Sequence, residues 1–339
     1  MGEKAVCTAW RLIWKCDWRD VLKVGLGFLF RQNEENRTMA KTNGAVKNER
    51  IEVLKTYKVF IGGKFPRTES GRFYSPEAGG KPLGNICLCS RKDVRNSVVA
   101  ARAAQAGWAA KTAYNRGQIL YRIAEMMEGR SEQFIAELQT QGLTAAAAKK
   151  EVTQSIDRMI YYAGWADKYQ QIFSAVNPVA SSHFNFSVLE PTGVVFVVAN
   201  EASPLLGLVS MIAPIIAGGN SCIVLASESK PLSAITLSEV LATSDVPGGV
   251  VNILTGNKSE LAEHFGRHLD INAIALDGVD QKMLAEVREF AVENVKRVKH
   301  YSHDWTDDET QNPYLIKDFS EIKTTWHPIE QISASGAGY

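Results

Sequence analysis

No run of apolar residues in this chain approaches the ~20 that a helix needs to cross a bilayer. Val21 to Phe30 is apolar except for Lys23. Asp17 and Asp20 precede it and no small-residue cleavage site follows, so it does not read as a signal peptide. An excess of one charge is missing too. The 38 Lys and Arg against 37 Asp and Glu leave a net charge of +1. No global field therefore favours nucleic acid or an acidic membrane. Cysteine is sparse and odd in number, with Cys7, Cys16, Cys87, Cys89 and Cys222 and no disulfide-like or metal-like spacing. That usage points to a reducing compartment, and a cytoplasmic protein is expected. Cys87 and Cys89 lie two apart in an apolar run, share a face of any strand, and read as small core residues. The six histidines offer no ligand set: His264 and His268 are four apart but lack a third partner. A Gly-x-Gly-x-x-Gly loop is also absent.

What is present suffices for a sizeable core. The chain has 339 residues, 45% of them hydrophobic and 22% charged, which suits a globular protein of two lobes. Residues 1–50 differ from the rest. They hold Trp10, Trp14 and Trp18 and a polar stretch from Gln32 to Arg50. They are expected to be a poorly ordered extension with an amphipathic helix near Trp10 to Phe30. A helical and hairpin part is expected over 51–183. Tyr57 to Phe65 reads as a hairpin turning at Gly62-Gly63. Val94, Val98, Ala101, Ala104 and Trp108 recur at helical spacing. Further helices are expected over Asn115 to Gln139 and Glu151 to Tyr169.

From 184 to 302 strand and helix alternate. Strands are expected at Val194–Ala199, Ser221–Leu225, Val250–Thr255, Ala273–Leu276 and Val295–Lys299, with helices between them. Short loops between alternating elements imply an α/β fold, a parallel sheet with helices on both faces. Such sheets bind ligands beyond the carboxyl ends of their strands. A tail with a closing strand is expected over 303–339.

The order of four strings resembles the aldehyde dehydrogenase superfamily. They are Glu190-Pro191-Thr192-Gly193, Ala213 to Asn220, Val246 to Gly256 and Ile274 to Gly278. Tyr161-Tyr162-Ala163-Gly164-Trp165-Ala166-Asp167-Lys168 carries the same likeness. The chain looks most like the degenerate second module of the two-module family-16 aldehyde dehydrogenases, shortened before the catalytic-cysteine domain. The resemblance implies a Rossmann-like cofactor domain with a β oligomerisation arm. It also implies functional positions, several of which are altered. Ala202 stands where the family has an oxyanion-stabilising asparagine, with Asn200 two residues earlier. Leu225 replaces a ribose-binding lysine, while Glu228 retains the ribose-binding glutamate. Lys258 and Ala262 replace two glycines near the pyrophosphate, after Thr255-Gly256. Asp277 and Asp280 bring new carboxylates to a phosphate-facing turn, where they would repel a pyrophosphate. Tyr301 takes the place of the general base, and a phenol with a pKa of ~10 is a poor base.

The expectation is therefore a non-catalytic protein of this family acting in binding or assembly. The alternatives are an NAD(P)-dependent aldehyde oxidoreductase and a dinucleotide-binding regulatory module. No catalytic residue and no metal ligand is expected. The residues expected to face any NAD, bound weakly if at all, are Ala199, Glu228, Gly256 and Lys258. Association into a homo- or hetero-oligomer is expected through Phe184–Leu189 and Phe319–Trp326, with neither nucleic acid nor membrane as partner.

Overall fold

Side chains that point alternately to opposite faces of a sheet set the architecture. The computed structural model describes residues 53–329; the extension expected over 1–50 lies outside them. Five short strands come first: β1 (Thr56–Tyr57), β2 (Phe73–Tyr74), β3 (Glu77–Ala78), β4 (Lys81–Pro82) and β5 (Asn85–Cys87). The expected hairpin is reduced to a bridge between Ile61 and Lys64 around Gly62-Gly63, and Phe60 bridges to Ile253. Helices follow: α1 (Arg91–Ala109), α2 (Ala113–Glu128), α3 (Ser131–Thr140), α4 (Ala145–Trp165) and α5 (Tyr169–Phe173). Next come β6 (Ala175–Asn177) and β7 (His183–Pro191), then the alternating units β8 (Val194–Val198), α6 (Leu206–Ala217), β9 (Ser221–Leu225), α7 (Leu232–Ala242), β10 (Val251–Leu254), α8 (Lys258–Arg267), β11 (Ala273–Asp277), α9 (Gln281–Ala291) and β12 (Arg297–Tyr301). Helix α10 (Tyr314–Asp318) and strand β13 (Ser320–Pro328) close the described chain.

Strands β8 to β12 form one parallel sheet in the order β10-β9-β8-β11-β12. Val195, Val197, Cys222, Val224 and Ala275 project into one core with α6 and α7, backed by α2 and α4. Their neighbours Val194, Phe196, Val198, Ile223 and Leu276 project into a second core with α1, α8 and α9. Helix α6 is apolar all round because it is covered on all sides, and its twelve residues are all buried. A buried arginine contact joins the layers: Arg116 donates from Nε to the carbonyl of Ala217, at the end of α6, while its Nη1 donates to the nearby Lys111 carbonyl in the turn before α2.

Gly193 links β7 to β8 at φ +130°, and a Cβ there would collide with the Asn272 side chain, so only glycine serves. Strand β7 leaves the main sheet and pairs antiparallel with β13 over nine residues and with β6 on its other side. Phe319, expected within the closing strand, instead lies just before it, wholly buried in the core. Strand β12 begins two residues later than expected because Val295 is left-handed (φ 53°) and turns the chain first. Among the described residues no helix is long and apolar enough to cross a membrane.

Candidate functional site

The strand order reverses between β8 and β11, and the crevice at their carboxyl ends is where a sheet of this kind holds a ligand. Here the chain's own side chains meet in it. The Asn200 amide donates from Nδ2 to Asp277 Oδ1 at 3.1 Å, and its Oδ1 accepts from the amides of Ala202 (2.6 Å) and Ser203 (3.3 Å). Trp305, fully buried, donates from its indole Nε1 to Asp277 Oδ2 at 2.7 Å. Its ring sits against Gly207, where a Cβ would come within 3.2 Å of Trp305 Cδ1 and 3.1 Å of Asn200 Cβ. Arg158, also buried, holds the tail in place: Nη2 donates to the Trp305 carbonyl at 3.1 Å and Nη1 to Ser210 Oγ at 2.8 Å. Glu151 accepts from the Leu205 (2.9 Å) and Leu206 (3.2 Å) amides, so the start of α6 is occupied by a carboxylate of this chain. Burial raises the Asp277 carboxyl to about 6, although the bonds from Asn200 and Trp305 oppose the rise.

Next to this crevice lies a second cluster, past the ends of β9 and β10. The Glu201 carboxylate accepts from Ser227 Oγ (2.5 Å), Ser229 Oγ (2.7 Å) and the amides of Glu228 (3.0 Å) and Ser229 (3.2 Å). Lys258 Nζ stands 3.3 Å away in an ion pair. Burial acts to raise its pKa, but the hydroxyls, the amide and Lys258 outweigh burial and hold it at about 2. Lys230 Nζ donates to the Glu201 carbonyl at 3.2 Å.

Of the four expected cofactor residues, Glu228 and Lys258 come together around Glu201. The Glu228 carboxylate itself turns to Asn257, accepting from Nδ2 at 3.0 Å. Gly256, at φ +153°, lets the backbone pass Cys89, whose amide bonds the Thr255 carbonyl at 3.0 Å. Ala199 is buried, its amide bonded to the Leu225 carbonyl. Asp280, expected to repel a phosphate, is instead the N-cap of α9, accepting from Met283 N at 2.8 Å. Tyr301 is buried and donates to Asp318 Oδ2 at 2.8 Å, while Lys299 holds Oδ1 at 2.6 Å. Burial, then the Asp318 charge, pushes its phenol far above the ordinary range.

Covalent aldehyde chemistry needs an accessible thiolate. Cys87, Cys89 and Cys222 are all buried, and burial raises the thiol pKa of Cys89 and Cys222. A cavity of about 810 Å³ opens elsewhere, between α2 and α4, lined by residues such as Tyr114, Tyr121, Ile160 and Gly164. No cysteine or histidine is among its lining residues.

Residues 66–300 match the aldehyde dehydrogenase family. The chain belongs to that family. It is 31% identical over 249 residues to the cytosolic 10-formyltetrahydrofolate dehydrogenase of Mus musculus, covering 71% of this chain and 28% of that protein. The mitochondrial 10-formyltetrahydrofolate dehydrogenase of Homo sapiens is 28% identical over 255 residues, covering 73% and 28%. Among solved structures, the NAD+ complex of an aldehyde dehydrogenase from Bacillus cereus superposes with a TM-score of 0.69 at 25% identity, covering 73% of this chain and 50% of that one. The chain thus spans between about a quarter and a half of the length of these family members.

Proposed function

We propose that this chain acts as a non-catalytic member of the aldehyde dehydrogenase family, in binding or assembly. The observation that carries this reading is the closed crevice: Trp305, Asp277 and Asn200 are bonded to one another where substrate and nicotinamide chemistry would need open space. Supporting it are Ala202, whose side chain carries no amide to stabilise an oxyanion and whose backbone amide is taken up by Asn200, and Tyr301, committed to Asp318.

NAD binds weakly or not at all in this reading. A lost charged contact costs ~1.5–3 kcal/mol, one to two decades in affinity, and Leu225 offers no ammonium. The side chains do not fit a dinucleotide either, since Glu201 fills the loop beside Glu228 and Asp277 and Trp305 fill the switch point. Assembly is supported by the arm, where Phe184, Val176, Ile322 and Trp326 are all exposed apolar side chains on β6, β7 and β13. Strand β13 also has a free edge in its three-stranded sheet.

The test is an assay of aldehyde-dependent NAD or NADP reduction together with calorimetric titration of NAD. No turnover and a dissociation constant weaker than low micromolar are expected. Turnover, whether it survives Cys222→Ala or is abolished by it, would overturn the reading. The dinucleotide-binding regulatory alternative draws on Glu228 and Lys258 sharing one loop cluster, and NAD binding without turnover would favour it.

A further inference from the structure

The turn after α6 and the hinge between β7 and β8 border a cavity of about 420 Å³. It lies beside the amino ends of β8 and β9, at the other end of the sheet from the crevice. Arg116 and Tyr169 line it, and each is more than nine-tenths buried. Two of the three Arg116 nitrogens are committed to the chain. Nε donates to the Ala217 carbonyl, and Nη1 to the carbonyls of Lys111 (2.6 Å) and Ala109 (3.4 Å). Among the described residues Nη2 has no hydrogen-bond partner, yet it is not sealed from solvent. A guanidinium carries five N–H donors, so the two on Nη2 are left for whatever fills the cavity.

The Tyr169 hydroxyl is a second unused donor. Gln170 Nε2 donates to it at 3.3 Å and to the Leu189 carbonyl at 2.6 Å. Gln170 Oε1 accepts from the Leu189 amide (3.2 Å) and the Ser174 hydroxyl (3.0 Å). The Leu189 backbone thus fixes the glutamine amide with its nitrogen toward the phenol, and that nitrogen cannot accept the phenol's proton. The proton has no other acceptor among the described residues. Burial lowers the Arg116 pKa, and the hydroxyl beside it opposes the fall. A buried donor without an acceptor is uncommon and calls for an explanation; here two line one cavity. Glu190, the one acid on the wall, is already paired with Lys323 Nζ at 2.7 Å. Gly219, at φ +90°, leaves room over the guanidinium, since a Cβ there would lie 3.6 Å from Arg116 Cζ and from Pro191 Cγ.

We propose that this cavity binds a small monocarboxylate, with one carboxylate oxygen accepting from Arg116 Nη2 and the other from the Tyr169 hydroxyl. Ala109, Leu189 and Pro191 supply an apolar wall, which suits a short alkyl chain behind the charged end. One guanidinium and one neutral hydroxyl match a single negative charge. A dianion such as phosphate would set a second charge against Glu190. The site shares no residue with the closed crevice. Its failure would leave the non-catalytic reading standing, and turnover of an aldehyde would leave this site standing.

The test is calorimetric titration and thermal shift of the whole chain with sodium propionate, and separately with sodium phosphate, against sodium chloride at matched ionic strength. Propionate is expected to bind saturably and to raise the thermal midpoint, while phosphate does no more than chloride. Tyr169→Phe keeps the ring and removes the donor, and should weaken propionate about tenfold, as expected for one hydrogen bond to a charged group. Glu190→Gln changes an exposed side chain and should tighten propionate by removing the charge on the wall. No saturable propionate binding overturns the proposal. So does phosphate binding more tightly than propionate, or a folded variant whose affinity fails to move in its stated direction. If Tyr169→Phe does not fold, Glu190→Gln decides alone: tighter propionate supports the site, and unchanged or weaker propionate overturns it.

Discussion

Asp277 ties stability to pH in a measurable way. Its carboxyl is almost wholly buried, and its pKa rises from 3.8 to about 6 in the folded chain. At 1.36 kcal/mol per unit this corresponds to about 3 kcal/mol. A group raised above its unfolded value favours folding fully below the unfolded pKa, and that contribution is lost as pH rises through the folded one. Stability from this residue should therefore fall by about 3 kcal/mol between pH ~4 and ~7. Glu201, lowered to about 2, acts the other way, but its contribution is complete above pH ~4.5 and constant through this window. His268 is lowered by burial and opposes Asp277 within the window, so a variant is needed to isolate the carboxyl. Asp277→Asn removes the titration, and its amide must face one donor, either Asn200 Nδ2 or Trp305 Nε1, at the cost of a hydrogen bond. Urea unfolding by circular dichroism at a series of pH values should show the variant furthest below wild type near pH ~4, with the gap narrowing steadily up to pH ~7. A difference that stays constant with pH to within about 0.5 kcal/mol would refute the assignment of a buried, titrating carboxyl.

Trp305→Ala should cost about 3–5 kcal/mol and expose the crevice, because it empties a fully buried indole site and unpairs Asp277; a thermal midpoint within a degree or so of wild type would contradict this. Deleting 318–339 should reduce oligomer size or solubility; a monomer in sedimentation, unchanged by the deletion, would remove the arm from the assembly reading. The same deletion removes the Asp318 acceptor from Tyr301, so the phenol's spectroscopic titration should move toward its ordinary range.

The parallel sheet was readable because β8, β9, β10 and β11 are short, largely apolar and each followed by a helix, with β12 closing the alternation. Helix α1 was readable from Val94, Val98, Ala101 and Trp108, all of which are buried. Helix α4 starts earlier than its expected Glu151 because the alanine run from Ala145 carries no hydrophobic period, only propensity, and Thr144 caps it by accepting from Ala147 N. The cap at Asp280 had a signal, an aspartate directly before a helical pattern, which the charge-repulsion reading passed over. The clamp on Glu201 had none. Its partners lie 26 to 57 residues further on, and serine and lysine in a loop ordinarily read as solvated surface. Trp305 likewise sits in a tail without periodicity, and only tertiary packing shows that it plugs the crevice.

The pairing of β13 with β7 sets an order of events in time. Pro191 meets Ser320 and His183 meets Pro328, so the strands join only after the chain between them, the whole main sheet and its helices, has been made. Closing so long a loop costs entropy that grows only logarithmically with length, but contacts this distant in sequence slow folding. On the ribosome, β7 would wait with one edge unpaired while more than a hundred residues follow it. Synthesis therefore passes through a stage in which an apolar ribbon bearing Phe184 and Phe186 is exposed to other chains. Chaperone capture or entanglement with a second nascent copy has its opening in that interval.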